Sequence, residues 1–266
     1  MAGSSPPGID TSRPNVARVN DYFLGGKDNF AADRELAGRL LTLDPGLPQW
    51  FRDNRAFICA AVARAASEGG IAQFIDLGAG LPTRPSVHEA ARQHIADAAV
   101  AYIDNDPIAV LHAQALLPKD KGLIGFRADL TDPAAVLTHP DLATVIDLDR
   151  AVGIILGAIT HLLPAETLSR ATASYLASAP AGSWLIISGG WSEDEETFTS
   201  LRSAYTAAPT YRHGPEVFAS FFDGTEIVPP GITEANRWIG RHESPPPAKG
   251  PYVRCAAGVK RGLAQP

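Results

Sequence analysis

The chain has 266 residues, a length that suits one large α/β domain with a full core. Its 45% hydrophobic and 20% charged residues exclude global disorder, and a net charge of −6 without any Lys/Arg-rich run leaves no patch for a dedicated nucleic-acid binder. No apolar run approaches the ~20 residues of a membrane span, the start Met1-Ala-Gly-Ser-Ser-Pro-Pro7 lacks the regions of a signal peptide, and Cys59 and Cys255 stand apart without CxxC spacing, so a cytoplasmic protein with no disulfide framework and no metal site is expected.

Residues 1–14 are rich in Ser, Pro and Gly and read as a disordered N-terminus. Helix follows from about 16 to 43, interrupted at Gly25-Gly26. A second long helix, about 53–68, carries Phe57, Ile58, Ala61, Val62 and Ala65 on one stripe and stops at Gly69-Gly70. This much helix ahead of any strand can form a cap over a later site.

From residue 71 the pattern alternates between strand and helix. Strands are expected at 73–77, 99–103, 122–127, 151–156 and 183–188, with helices near 86–96, 107–117, 133–137 and 165–179 between them. Such spacing means right-handed βαβ units and a parallel sheet. Beyond it, 193–207 and 214–223 read as helices, 225–228 and 252–259 as strands of an antiparallel hairpin at a sheet edge, and 245–250 as a loop.

The chemistry concentrates at strand ends. Asp76-Leu-Gly78-Ala-Gly80 follows the first strand, and glycines there let backbone pass close to a ligand. Alone, the pattern is also that of a tight β–α turn. Thr83 stands where a dinucleotide fold wants Gly or Ala, and Pro82 removes an amide donor. Both changes weaken a pyrophosphate site and harm a phosphate-free ligand less.

Asp104 ends the second strand, where a carboxylate can accept both hydroxyls of a ribose; Asp106 suits a helix cap instead. Asp129 at the end of the third strand is placed for an adenine amino group, with Leu130 against the ring, or for an Asx turn. Gly157-Ala158 leave room after the fourth strand, and His161 just beyond is a candidate general base or a polar group on a helical turn. No Ser-His-Asp order, phosphate-loop lysine motif or metal-ligand cluster appears.

Several blocks resemble the bacterial DUF574 family of S-adenosylmethionine-dependent methyltransferase-like proteins: Val16-Ala-Arg-Val-Asn-Asp-Tyr-Phe-Leu-Gly-Gly-Lys-Asp-Asn-Phe-Ala-Ala-Asp33, Asn54-Arg55 with Phe57, Gln73 to Thr83, Val87-His-Glu89, Tyr102 to Pro107, and Gly258-Val-Lys260. The resemblance runs from about residue 14 to 261. It implies a Rossmann-like class I methyltransferase: a seven-stranded, mostly parallel sheet with an antiparallel last strand, and a helical lid over 15–70 on a core of 71–261 within one domain. S-adenosyl-L-methionine would be the cofactor. Asp76, Gly78 and Gly80 would border its methionine part, Asp104 beside Asn105 its ribose, Asp129 and Leu130 its adenine, and Gly157 and Ala158 its sulfonium. Tyr22, Gly25 and Gly26 would belong to the closing segment. Two departures stand out: Asn20 replaces a commoner aromatic, and Gly189-Gly190-Trp191 follows the fifth strand where Ser-His is expected.

The expected function is methyl transfer to a small-molecule acceptor, a reaction that needs positioning more than a protein nucleophile. Two rivals are a non-catalytic cofactor-binding regulator and an NAD(P)-dependent oxidoreductase. Pro82 and Thr83 argue against the second.

Overall fold

The computed structural model describes residues 10–116, 121–241 and 252–262; residues 1–9 of the expected disordered terminus and the expected loop at 245–250 lie outside them. The first strand, β1 (Gln73–Leu77), is buried at every position, as a central parallel strand covered on both faces must be. Phe74 faces one apolar cluster, with Phe57, Val62 and Val100, while Ile75 and Leu77 face a second, with Ile103, Leu168 and Phe218. The period-2 alternation of a strand puts one core on each side of the sheet.

Around β1 the strands are β2 (Ala99–Asp104), β3 (Leu123–Arg127), β4 (Gly153–Leu156), β5 (Trp184–Trp191), β6 (Thr225–Ile227), β7 (Thr233–Glu234) and β8 (Tyr252–Lys260). Their order is β3-β2-β1-β4-β5-β8-β6, with β7 pairing β8 off that path. Pairs from β3 to β5 are parallel; β8 runs antiparallel to β5, β6 and β7. The chain winds outward from β1 to β3, then returns to β4 on the other side of β1. Crevices for ligands form at such a reversal, at the carboxyl ends of the strands.

Three helices precede the sheet: α1 (Val16–Phe23), α2 (Ala31–Leu43) and α3 (Leu47–Gly69). The next are α4 (Val87–Arg92), α5 (Pro107–Leu116), α6 (Pro133–Leu137) and α7 (Ala165–Ala177), then α8 (Glu195–Ala204), α9 (Pro215–Ser220) and α10 (Ala235–Trp238). α3 starts six residues before its expected position, because Pro48 sits in its first turn, where a missing N–H costs nothing. Among the described residues, no helix is long and apolar enough to cross a membrane, and no group of His, Cys, Asp and Glu is placed to hold a metal ion.

The sheet holds one strand more than expected, the two-residue β7, which is too short to register as a period in the sequence. The expected antiparallel pair stands at one edge of the sheet. β6 is its outermost strand, and β8, antiparallel to it, joins the pair to β5. β5 runs on to Trp191, since Gly189, Gly190 and Trp191 pair with Arg254, Val253 and Tyr252 of that long inserted strand.

The helical extension is tied together by one buried pair. Arg18 Nε donates to Asp33 Oδ2 at 2.7 Å, with both side chains almost wholly buried. The same carboxylate accepts from the backbone N–H of Asn15 and Phe30, so both of its oxygens are engaged. A buried charge pair is tolerable only when its remaining polar valences are met in this way.

Candidate functional site

After β1 the chain turns through Gly78 (φ 71°) and Gly80 (φ 65°), both in the left-handed region that favours glycine. At Gly78 even a methyl group would lie 2.5 Å from Ile159 Cδ1, so space forbids a side chain as well. The N–H of Gly78 and Ala79 donate to the carbonyl of Ile103, locking the turn to the end of β2. Gly80 N–H donates to Asp104 Oδ2 at 2.7 Å, and Asp106 N–H to Oδ1 at 2.8 Å. The Asn105 N–H also acts on this carboxylate, and an ionised carboxylate so engaged still has accepting capacity left for a ribose hydroxyl. Burial raises the Asp104 pKa above the usual carboxylate range, against the pull of these amides.

No helix starts at this turn. α4 begins only at Val87, and its free amides are met by its own capping box: Ser86 Oγ accepts from Glu89 N–H, and the Glu89 carboxylate accepts from Ser86 N–H. A pyrophosphate site needs a helix N-terminus with amides to spare. Instead, Leu81 buries itself against Ala17 of α1 and Ile108 of α5. The Leu-Pro-Thr that breaks the dinucleotide pattern is thus the docking point of the helical extension. A second tie joins them: Asn15 Nδ2 donates to Asp106 Oδ2 at 2.7 Å, while Oδ1 caps α5 through Ile108 N–H.

Asp76 lies under the turn, on the face toward α3. Burial pushes its pKa up to about 6, with the Arg55 guanidinium pulling it down and Asp104 pushing it further up. Arg55 itself donates from Nε to the Pro85 carbonyl at 2.7 Å rather than to Asp76. Asp129 Oδ1 accepts from Thr131 N–H and Oγ1, both at 2.8 Å, which makes it an Asx turn. Leu130 is fixed beside it by its carbonyl, which accepts from Tyr175 Oη at 2.9 Å.

Beyond β4, Ala158 holds φ 58°, a conformation costly for a residue with a Cβ. A buried relay sustains it: Ala158 N–H donates to Ser188 Oγ at 2.9 Å, and Ser188 O–H donates to Asn54 Oδ1 at 2.6 Å. The Asn54-Arg55 block at the heart of α3 thereby supports both halves of the site, through Ser188 and through the charge beside Asp76.

His161 sits on the cavity wall edge-on to Trp50, with ring centroids 5.8 Å apart. Gly190 N–H donates to its Nδ1 at 3.1 Å, so Nδ1 carries no proton and the proton resides on Nε2. Burial, then the neighbouring His213, push its pKa down to about 4. In this geometry the ring is a neutral hydrogen-bond donor, which favours the second of the two sequence alternatives, a polar group on a helical turn, over a general base. Gly190 also keeps Trp50 in place, since a Cβ there would lie 3.1 Å from Trp50 Cζ2.

A cavity of about 380 Å³ runs along the carboxyl ends of β3, β2, β1, β4 and β5. It brings together Gly78, Gly80, Asp104, Asn105, Asp129, Leu130, Gly157, Ala158 and His161. Four other expected site residues do not line it. Asp76 lies beneath the glycine turn, and Tyr22 packs in the apolar cluster of α1 and α2. Gly25 and Gly26 form the turn between those helices, where a Cβ at Gly26 would collide with the Asp21 carboxylate.

Sequence reasoning did not single out the opposite wall. Asn20 comes from α1 and Asn15 from its N-cap, Trp50 and Phe51 from α3, Phe198 and Arg202 from α8 and Tyr205 from its C-cap. Only the stripe of Trp50 and Phe51 ahead of Phe57 hinted that α3 begins early enough to reach the cavity.

Residues 2–262 match the model of the S-adenosyl methyltransferase family. A candidate methyltransferase of Thermobifida fusca shares 35% identity over 97% of this chain and 98% of that one, with a TM-score of 0.89. A DUF574 family protein of Streptomyces avermitilis shares 33% identity over 94% of this chain and 99% of the other, with a TM-score of 0.88. No curated protein gives a significant match.

Proposed function

The chain belongs to the S-adenosyl methyltransferase family and is an S-adenosylmethionine-dependent methyltransferase of Rossmann-like fold, and on that premise we propose that it methylates a small molecule enclosed in the cavity at the carboxyl edge of its sheet. The cavity itself carries this reading: it is roofed by the helical extension and α8, of a size for small ligands, and walled mainly by apolar groups. Residues 15–261 would act as one domain, with 15–70 as the cap.

The residues present fit the cofactor. Asp104 would accept the ribose hydroxyls with the capacity its amide partners leave, and Asn105 would flank it. Asp129 would accept from the adenine amino group, against the face of Leu130. Gly78 and Gly80 would let the backbone approach the methionine part, and Asp76, which accepts no side-chain hydrogen bond among the described residues, would attract its ammonium group through the turn. Gly157 and Ala158 would border the sulfonium. When bound, the cofactor supplies an electrophilic methyl group. The protein's share is to exclude water, hold the acceptor in line and keep its own donors fixed. Asn54 and Ser188 are positioning residues in this scheme, acting through Ala158.

Calorimetric titration tests the reading. S-adenosylmethionine and S-adenosylhomocysteine are expected to bind at one site per chain, and NAD(H) and NADP(H) not at all. Binding of a nicotinamide cofactor in their place would contradict it.

A further inference from the structure

The polar groups of the cavity are sorted by strand. Its acidic side chains, Asp104, Asp106 and Asp129, all stand at the ends of β2 and β3. At the β4–β5 end, roughly four strand spacings or ~19 Å from β3, the lining holds no acid. The groups there are donors. His161 keeps its proton on Nε2, since Gly190 N–H occupies Nδ1. Trp191 and Thr210, each more than nine-tenths buried, line the same end, with Nε1 and Oγ1 enclosed beneath its surface and without a hydrogen-bond partner among the described residues. Arg202 of α8, the helix leaving β5, adds a full positive charge and forms no ion pair among the described residues. Between them stand the rings of Trp50, Phe51 and Phe198.

A cationic side chain and a protonated ring nitrogen on an apolar wall favour a ligand that brings acceptors. The same end offers no group to take a proton: Arg202 and Trp191 are donors only, burial raises the Tyr205 hydroxyl further above its ordinary range, and the basic nitrogen of His161 is engaged. A phenol or an ammonium acceptor would have to lose a proton there before or during attack.

From this arrangement we infer that the methyl acceptor is a flat apolar carboxylic acid, bound as its carboxylate by Arg202 and the His161 ring and converted to its methyl ester. This rests on the cofactor reading above. A carboxylate oxygen attacks the methyl carbon; the new C–O bond forms as the C–S bond breaks, the electron pair of that bond passes to sulfur, and S-adenosylhomocysteine leaves as a neutral thioether. No proton moves, so no base is required. The positive charge lost from the sulfonium and the negative charge lost from the acid cancel.

The test uses the full chain loaded with S-adenosylhomocysteine and three probes of one shape: 2-naphthoate, 2-naphthol and 2-naphthylamine. Naphthoate is expected to bind about tenfold more tightly than either neutral analogue, the factor of one charged hydrogen bond. Arg202→Leu should remove that preference by weakening naphthoate alone, and Arg202→Lys should restore part of it. With methyl-labelled S-adenosylmethionine, the label transferred to naphthoate should be released as methanol by alkali. Equal or tighter binding of naphthol or naphthylamine, an unaltered preference in Arg202→Leu, or label stable to alkali on the phenol or amine would overturn the proposal while leaving the cofactor reading intact. Failure to bind S-adenosylhomocysteine at all would overturn both.

Discussion

Asp104→Ala is expected to abolish binding of S-adenosylmethionine, lowering affinity at least about a hundredfold in calorimetry, the loss of two charge-assisted hydrogen bonds. The substitution acts twice. It removes the proposed acceptor of the ribose hydroxyls, and it releases the N–H groups of Gly80 and Asp106, which the two carboxylate oxygens hold at 2.7 and 2.8 Å. Asp104→Asn separates the two effects: its amide oxygen keeps one acceptor, so an intermediate loss is expected. Unchanged affinity in Asp104→Ala would remove the ribose assignment.

Asp76→Asn should bind the cofactor more weakly and yet fold more stably. Burial holds this carboxyl at about 6 in the folded protein against 3.8 for the free group. A group with a raised folded pKa takes up a proton on folding between those values, so its contribution makes stability rise as pH falls from about 6 towards 4. Above pH 6 the buried charge is a net cost, on the order of 1–3 kcal/mol. Removing it should therefore raise the melting temperature at pH 7.5 and flatten the acid side of the stability profile. An ammonium group brought near needs the ionised form. Wild-type affinity should accordingly tighten as pH rises through about 6 and then level off, whereas Asp76→Asn should lose about tenfold at pH 7.5 and show no such step. A variant that matches wild type in both melting temperature and affinity would show that the charge faces neither burial nor ligand.

The strands and the edge they share were legible because each carries a local signal. Phe74-Ile-Asp-Leu77 is a short apolar run closed by glycines, Tyr102-Ile-Asp104 is another closed by acids, and their order along the chain dictates which neighbours they take. The Asp104, Asp129 and Gly157 positions follow directly, since residues at or just past the end of a parallel strand lie at the carboxyl edge. The roof of the cavity was not legible. Whether Asn20, Trp50, Phe198 and Arg202 meet over that edge depends on how α1, α3 and α8 dock, and no local period records it. The latches that decide the docking, Asn15 to Asp106 and Leu81 to Ala17, join residues 91 and 64 positions apart. Insertion of β8 between β5 and β6 is likewise a long-range choice: a strand pattern at 252–259 fits an edge or an interior equally well, and only the pairing with Trp184 to Trp191 distinguishes them. The tautomer of His161 belongs to the same class, because it hangs on one amide of a neighbouring strand.

The most direct measurement of the account is a crystal structure of the protein with S-adenosylhomocysteine. The ribose is expected on Asp104, the adenine between Leu130 and the Asp129 carboxylate, and the sulfur beside Gly157 and Ala158 with the cavity open beyond it toward His161 and Arg202. Adenine bound instead at the β5 end among Trp191 and Tyr205, or a cofactor outside this cavity, would contradict it.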